Sequence, residues 1–222
     1  MECLGGGAVA DKGGSALGTQ ICLFVNASPP KLGGGAMSLL SLVGALPQWG
    51  WSGHVAVQDQ GQLTRELERM DVPYTVLALD PVEFGRPIDS ALSTAKWISV
   101  LRRIRPAIIH ANAFGLQRAF ALAAGMLRIP YVVHVRFPVS PEEARWGLRR
   151  LPKPAAVIFN SHAMRNSLWG GIRCWTPNSS CHAVHNAVDM SKFAATTWPS
   201  TNRIRVGMVA NFAPFKRHED FL

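Results

Sequence analysis

The sequence predicts an α/β protein built on a mostly parallel sheet with helices on both faces. Two observations carry this reading. Short apolar runs of the buried-strand type alternate with amphipathic stretches, and the connections between them are short, which is the rhythm of repeated strand-helix units. Hydrophobic residues make up 48% of the 222 residues and charged ones 17%, apolar enough to exclude a wholly disordered chain and to fill a sizeable core. The length fits one full domain plus a fragment better than two complete α/β domains.

Taken in order, residues 1–18 are rich in Gly and Ala without periodicity and predict a disordered extension. The run ICLFVN (21–26) predicts the first strand, AMSLLSLVGALPQWG a helix, HVAVQ (54–58) a strand and the polar QLTRELERM a helix. YTVLAL (74–79), a helix over 91–104, AIIHAN (107–112), a helix over 116–127 and YVVHV (131–135) continue the pattern. AAVIFN (155–160), a helix opening near Ser161 and CHAVHN (181–186) complete it, giving a Rossmann-like layout over 19–190. The stretch after Met190 lacks an apolar period and is rich in Thr, Ser and Pro, so 191–203 reads as a linker; IRVGMVAN (204–211) then predicts a fresh strand that opens a second, truncated lobe.

Lys and Arg total 23 against 14 Asp and Glu, a formal charge of +9, which favours anionic partners without choosing among nucleotide phosphates, lipid headgroups and nucleic acid. No nucleic-acid-binding module is recognisable, so nucleic acid is not expected as a partner. Four cysteines (Cys3, Cys22, Cys174, Cys181) are too few for a disulfide scaffold, and no secretory leader pattern or clean membrane span is found. These observations predict a cytoplasmic protein, with a peripheral position on the inner face of the membrane as a variant of that address.

Chemistry-bearing residues gather at predicted strand ends. Gly33, Gly34 and Gly35 sit between the first strand and a helix, where glycines admit a ligand close to the backbone and helix amides attract a phosphate; a plain flexible loop is the alternative. Gly33, Gly35 and Ser38 nearly fit a dinucleotide fingerprint, with Asp59 near its ribose-binding position, but Ala-Ser-Pro-Pro-Lys-Leu separates the strand from the first glycine. His110 and His134 end buried strands, compatible with lining a ligand crevice or with bonding inside the core. Arg136 follows its strand where a guanidinium is costly to bury without an anion. Cys174, Cys181, His182 and His185 have no common zinc spacing, and strand alternation predicts opposite faces for the two histidines, so no metal site is expected. Two basic stretches, Lys96 to Arg105 around Trp97, Leu101 and Ile104, and Arg145 to Arg150 around Trp146 with Lys153 beyond, suit either an anionic lipid surface or ordinary inward packing of a helix.

In their order these segments resemble the N-terminal lobe of the retaining family-four glycosyltransferases of GT-B fold. The resemblance rests on Gly34-Gly35-Ala36-Met37 against a G-G-x-E loop, Gly53-His54-Val55-Ala56-Val57 against a G-H-x-V strand, and Pro106-Ala107-Ile108-Ile109-His110-Ala111-Asn112 against P-D-[IV]-[IV]-H-x-[HN]. It continues with Pro130 to Arg136 against a G-x-P-V-V-x-T-x-H strand, Ala156 to Met164 against A-x-V-I-x-x-S-x-x-M, and His185-Asn186-Ala187-Val188-Asp189 against P-N-G-V-D. Last, Val206 to Lys216 is similar to the strand and G-R-L-x-x-x-K loop that begin the second lobe. Met37 replaces an acidic residue, Arg136 stands at a histidine position, and Asn211 at an arginine position.

The resemblance implies transfer of a sugar from a nucleotide-sugar donor to an acceptor hydroxyl with retention, no cofactor or metal requirement, and a glycan, lipid-linked or small-molecule acceptor. It implies that His110, His134 and Arg136 are catalytic and line the acceptor side, while Gly34, Gly35, Asn112, Asn186, Asn211 and Lys216 bind donor or acceptor. It also implies a second lobe with a paired-glutamate donor motif; no two glutamates here are eight apart, so this chain is expected to be a half-site. Two other classes stay open: a non-catalytic basic lobe binding phosphate or lipid, and a nicotinamide-dinucleotide-binding fragment that would depend on Asp59.

Overall fold

The computed structural model describes residues 19–27, 32–190, 206–210, 212 and 214–221. Seven parallel strands form one sheet: β1 (Gln20–Asn26), β2 (Trp51–Val57), β3 (Tyr74–Val76), β4 (Ile108–Ala111), β5 (Tyr131–Val135), β6 (Ala156–Phe159) and β7 (Ser180–Ala183). Their order is β3-β2-β1-β4-β5-β6-β7. The chain builds outward from β1 to β3, crosses back and builds outward again from β4, so the order reverses between β1 and β4. In open parallel sheets a ligand crevice lies at such a switch, beyond the strand C-termini.

Six helices connect the strands: α1 (Gly34–Ala45), α2 (Gln62–Arg69), α3 (Pro87–Ile104), α4 (Gln117–Met126), α5 (Pro141–Leu148) and α6 (His162–Arg173). Strand alternation separates them into two layers. Cys22, Phe24, Val55 and Val57 face Leu39, Leu40 and Val43 of α1 and Leu63 and Leu67 of α2. Leu23, Val25, Ile109, Ala111 and Val133 point the other way, onto Trp97 and Leu101 of α3 and Phe120 of α4. Val135, Val157 and Phe159 extend that second face to Leu148 of α5 and Ile172 of α6. Right-handed crossovers account for the division, because the direction of travel along the sheet decides which face each helix covers. The central strand β1 is buried on both faces, which is why its sequence is a continuous apolar run.

Several boundaries move relative to the sequence reading. β2 starts at Trp51, after a short 3₁₀ turn (Leu46–Trp49) that ends on Gly50 at φ 75°, a left-handed conformation that favours glycine. β3 covers only 74–76 of the expected 74–79, since its single neighbour β2 ends at Val57 and offers no ladder beyond it. The helix expected from 91 begins at Pro87, whose fixed φ suits a first helical position. The strand expected over 181–186 spans Ser180–Ala183, leaving His185 and Asn186 in the segment that follows.

The second basic stretch lies on α5 and just past it, the helix expected there as one of two alternatives, and α5 begins upstream of that stretch at a capping box: Ser140 Oγ accepts a bond from the Glu143 amide, and the Glu143 carboxylate accepts one from the Ser140 amide. On α3, the stripe of Trp97, Leu101 and Ile104 is buried in the core, so the first basic stretch is an ordinary inward-packing helix with Lys96, Arg102, Arg103 and Arg105 on its outer side.

The residues through Ala187 form one compact unit and those from Val188 a second. In the second unit the expected strand over 204–211 is not formed in its described part: residues 206–210 carry no regular structure, and no described strand pairs with them. Short 3₁₀ turns follow at Pro214–Lys216 and His218–Asp220. The extension 1–18, the whole linker 191–203 and Asn211 lie outside the described residues.

Candidate functional site

Three of the buried runs end on asparagine: Asn26 as the last residue of β1, Asn112 after β4 and Asn160 after β6. Parallel pairing brings all three to the C-terminal edge of the sheet, and the first two flank the switch point. Asn112 donates through Nδ2 to Asn26 Oδ1 at 2.7 Å and to the Gly35 carbonyl at 3.1 Å, tying β4 to β1 and to the first turn of α1.

Onto this amide frame Arg136 folds back from the end of β5. Its Nε donates to the Asn112 carbonyl at 2.8 Å and its Nη2 to Asn112 Oδ1 at 2.7 Å. Nη1 reaches Asn186 Oδ1 at 3.4 Å, and the same oxygen accepts from Ser38 Oγ of α1 at 3.4 Å. Asn160 donates to the Arg136 carbonyl at 3.2 Å and fixes the backbone from β6. A Cβ on Gly35 would stand 3.5 Å from Arg136 Cδ, so the arginine stem packs directly on the first turn of α1.

Arg136 is 8% exposed. Among the described residues no carboxylate pairs with it: every partner is a neutral carbonyl oxygen, and burial lowers the guanidinium's pKa from its usual value. A guanidinium has five N–H donors, of which these bonds occupy three. A buried cation with spare donors and no counter-ion is a receptor for an oxyanion. The amides opening α1 add to the same field, since Gly33 offers no side-chain cap, no acidic residue stands in the first turn, and a Cβ on Gly34 would meet open space.

His110 and His134 lie on the α1 side of the sheet, with rings stacked at 5.5 Å and an interplanar angle of 15°. Burial, then the neighbouring His134 and Arg136 charges, push His110 down to about 3; burial and then Arg136 push His134 down to about 4. Both are therefore neutral imidazoles near pH 7. Nε2 of His110 and both ring nitrogens of His134 are buried without a protein partner. Unsatisfied buried polar atoms are uncommon in folded proteins, and here three belong to adjoining rings beside Arg136.

The structure thus brings Arg136, His110, His134, Asn112, Gly35 and Asn186 together, with Gly34 in the adjoining helical turn. Asn26, Ser38 and Asn160 complete the frame. Lys216 belongs to the second unit, in a 3₁₀ turn, and Asn211 lies outside the described residues. Asp59 is exposed just past β2. Among the described residues no three His, Cys, Asp or Glu side chains gather as a metal site. Instead of alternating with His182 along one strand, His185 lies beyond β7 with its ring 5.3 Å from that of His162.

A family model for glycosyltransferase family 4 matches residues 32–192, most of the chain. The chain belongs to glycosyltransferase family 4. Among solved structures, the family-4 chain shares its fold with a glycosyltransferase from Rickettsia africae (12% identity, TM-score 0.63), covering 78% of this chain and 44% of that one. It also matches Anabaena Alr3699/HepE in complex with UDP and glucose (21% identity, TM-score 0.60, 78% of this chain and 46% of that). The same protein in complex with UDP-glucose matches at 21% identity and TM-score 0.59, over 77% and 45% of the two chains. The family-4 chain described here therefore spans less than half the length of these structures. No curated protein matches its sequence. These likenesses fix the fold as the N-terminal, Rossmann-like lobe type of the GT-B glycosyltransferases.

Proposed function

We propose that this chain supplies one half of the active cleft of a retaining glycosyltransferase, which passes a sugar from a nucleotide-sugar donor to an acceptor hydroxyl. The observation that carries the reading is the buried, carboxylate-free Arg136 at the switch-point crevice, with the opening turn of α1 packed on its stem. That arrangement suits a diphosphate or an anionic group brought beside it. The solved structures of similar fold that hold UDP or UDP-glucose agree with this chemistry.

In this proposal Gly34 and Gly35 border the donor phosphates, His110, His134 and Asn112 line the acceptor side with Asn186, and Arg136, whose stem packs on Gly35, stands on the acceptor side within reach of the phosphates as well. Neutral imidazoles position a hydroxyl by hydrogen bonding without adding charge. The acceptor oxygen bonds to the anomeric carbon as the bond to the leaving diphosphate breaks on the same face, and the hydroxyl proton passes to the departing phosphate. No protein nucleophile and no metal are required, the charge being met within this lobe by Arg136. The acceptor is a glycan, a lipid-linked sugar or a small molecule, and the net charge of +9 suits peripheral contact with an anionic membrane.

The test is calorimetric titration of the 222-residue chain with UDP. Arg136→Gln is expected to weaken binding ten- to a hundred-fold, the range of one charged hydrogen-bonding group worth about 1.5 to 3 kcal/mol, with Arg136→Lys in between. UDP affinity unchanged by Arg136→Gln, or no UDP binding by the parent chain, would overturn the assignment. Retention is read from the anomeric configuration of a product.

A further inference from the structure

Away from the crevice, two cavities meet on the other face of the molecule at one side chain, Phe84. The first, about 340 Å³, is lined by Arg118, Arg145, Arg149 and Arg150 with Phe84 and Trp146, against the single carboxylate Glu142. The second, about 530 Å³, runs between α3 and α4 and is almost wholly apolar, with Val82, Ala91, Ile98, Leu122 and Met126 on its walls. Around them Ile88, Leu92, Met126 and Trp146 are exposed by 75%, 58%, 69% and 43%, large apolar side chains that the folded core does not use.

The basic cavity is a built site. Arg118 is 4% exposed and donates through Nη1 to the Trp146 carbonyl and through Nη2 to the Val82 carbonyl, tying the segment after β3 to the end of α5. Its Nε is buried without a partner. Its guanidinium carbon stands 4.7 Å from the Trp146 ring centroid and 5.8 Å from that of Phe84, while Arg150 stands 5.7 Å from Phe84 on its own account. Stacking on rings leaves guanidinium edges to hold an oxyanion. Among the described residues none of the four arginines makes an ion pair, although Glu83 lies close enough to Arg118 to favour its charged form.

We infer that these two cavities form one docking site for an anionic phospholipid of a bilayer, its phosphate among Arg118, Arg145 and Arg149 and its acyl chain in the α3/α4 groove. Phe84 lines both cavities, so a basic and an apolar cavity adjoin at one side chain, which is the reason for an amphiphile rather than a soluble phosphate. A phosphate alone would leave the groove unused, and a purely apolar ligand would leave four cations unmatched. Trp146 lines the basic cavity among its arginines, and aromatic side chains beside basic ones are common where a protein meets a membrane interface. The inference rests on the membrane-contact part of the proposed function and is independent of sugar transfer.

The experiment is co-sedimentation of the 222-residue chain with phosphatidylcholine vesicles, with and without phosphatidylglycerol, at low ionic strength. Variants are Arg145→Glu/Arg149→Glu, Met126→Glu, and Arg65→Glu/Arg173→Glu as an equal charge change elsewhere, each with its thermal midpoint checked. Binding is expected to require phosphatidylglycerol and to fall roughly five-fold for each basic charge lost at the membrane surface, so the Arg145/Arg149 variant falls well over ten-fold. Met126→Glu is expected to fall by about ten-fold from losing an apolar contact, and the control pair by much less.

An equal loss in the control pair would reduce the effect to net charge and overturn the site. Full binding by Met126→Glu would empty the groove and overturn the lipid. Glycerol phosphate binding that Arg145→Glu/Arg149→Glu abolishes, without vesicle binding, would replace the lipid by a soluble phosphate ester. Absence of binding to any vesicle would overturn membrane contact altogether, while the UDP titration with Arg136→Gln reports separately on the crevice.

Discussion

His110 and His134 are held neutral by burial beside Arg136, and this has a thermodynamic consequence that can be measured without knowing the substrate. In the unfolded chain both imidazoles titrate near 6.5, whereas in the fold they titrate at about 3 and about 4. Between those limits the unfolded state binds more protons, so acid favours unfolding. Their contribution is complete above about pH 6.5 and is lost as pH falls toward 4, each histidine adding a slope of about 1.4 kcal/mol per pH unit. Urea midpoints measured across that window should fall steadily for the parent chain. For His134→Gln the part of the slope due to the pair should be roughly halved, and a slope identical in the single and double glutamine variants would show that these rings are not the groups responsible. His110, His134 and Arg136 were legible in the sequence because they stand at or just past the ends of buried apolar runs, and Asn112 through the family resemblance. Asn26 was equally legible on the first criterion, since the run ICLFVN closes on it, but it gains meaning only when β1 and β4 become neighbours. Asn186 was reached through family resemblance alone, since nothing local in His-Asn-Ala-Val reports that the segment after β7 returns to Ser38 and Arg136.

Elements were read more surely than their ends. Alternating apolar runs located all seven strands of the sheet because each buries side chains in the core, yet β3 came out shorter than its sequence pattern, a length set by its neighbour rather than by its own residues. For α5 the stretch Arg-Trp-Gly-Leu-Arg-Arg offers a helix only as one of two alternatives, while the decisive signal and the start of the helix lie upstream in Ser140-Pro141-Glu142-Glu143, a capping box with proline at the first helical position. Ser140→Ala removes one half of that box and should destabilise the chain by about 1 kcal/mol, seen as a lower thermal midpoint with α5 amides exchanging faster. Undiminished protection in α5 would mean that its packing, not its cap, holds it. A glycine that matched a family motif has a plain packing role: a Cβ on Gly53 in β2 would come within 2.7 Å of Val43 Cγ1, so the bare backbone is what lets α1 lie against the sheet. Gly53→Ala should lose about 1 to 3 kcal/mol as the helix is pushed outward, and Gly53→Ala/Val43→Ala should recover part of that loss. Failure of the second change to rescue the first would point to the strand backbone instead of the contact.

At the scale of the molecule, the fold class followed from rhythm and composition, whereas the division of the chain depends on which residues share a core. Each of the three buried clusters draws its members from residues 22 to 172, and the partly buried side chains packed on them extend only to Cys181. The crevice frame closes at Asn186, one residue before the unit ends at Ala187. Among the described residues the segment from Val188 contributes no side chain to any of these clusters. A chain ending at Ala187 should therefore keep the core that determines cooperative unfolding, together with Arg136 and its bonding partners. Its thermal midpoint is expected to stay within about 4 to 8 °C of the parent, the shift that a change of about 1 kcal/mol produces in a small domain. Differential scanning calorimetry of the two chains decides the matter. A single cooperative transition at nearly the same temperature would establish residues up to Ala187 as the folding unit of this lobe. Loss of cooperativity would show that the second unit stabilises the first, and the assignment of the core to the sheet and its two helical layers alone would have to be given up.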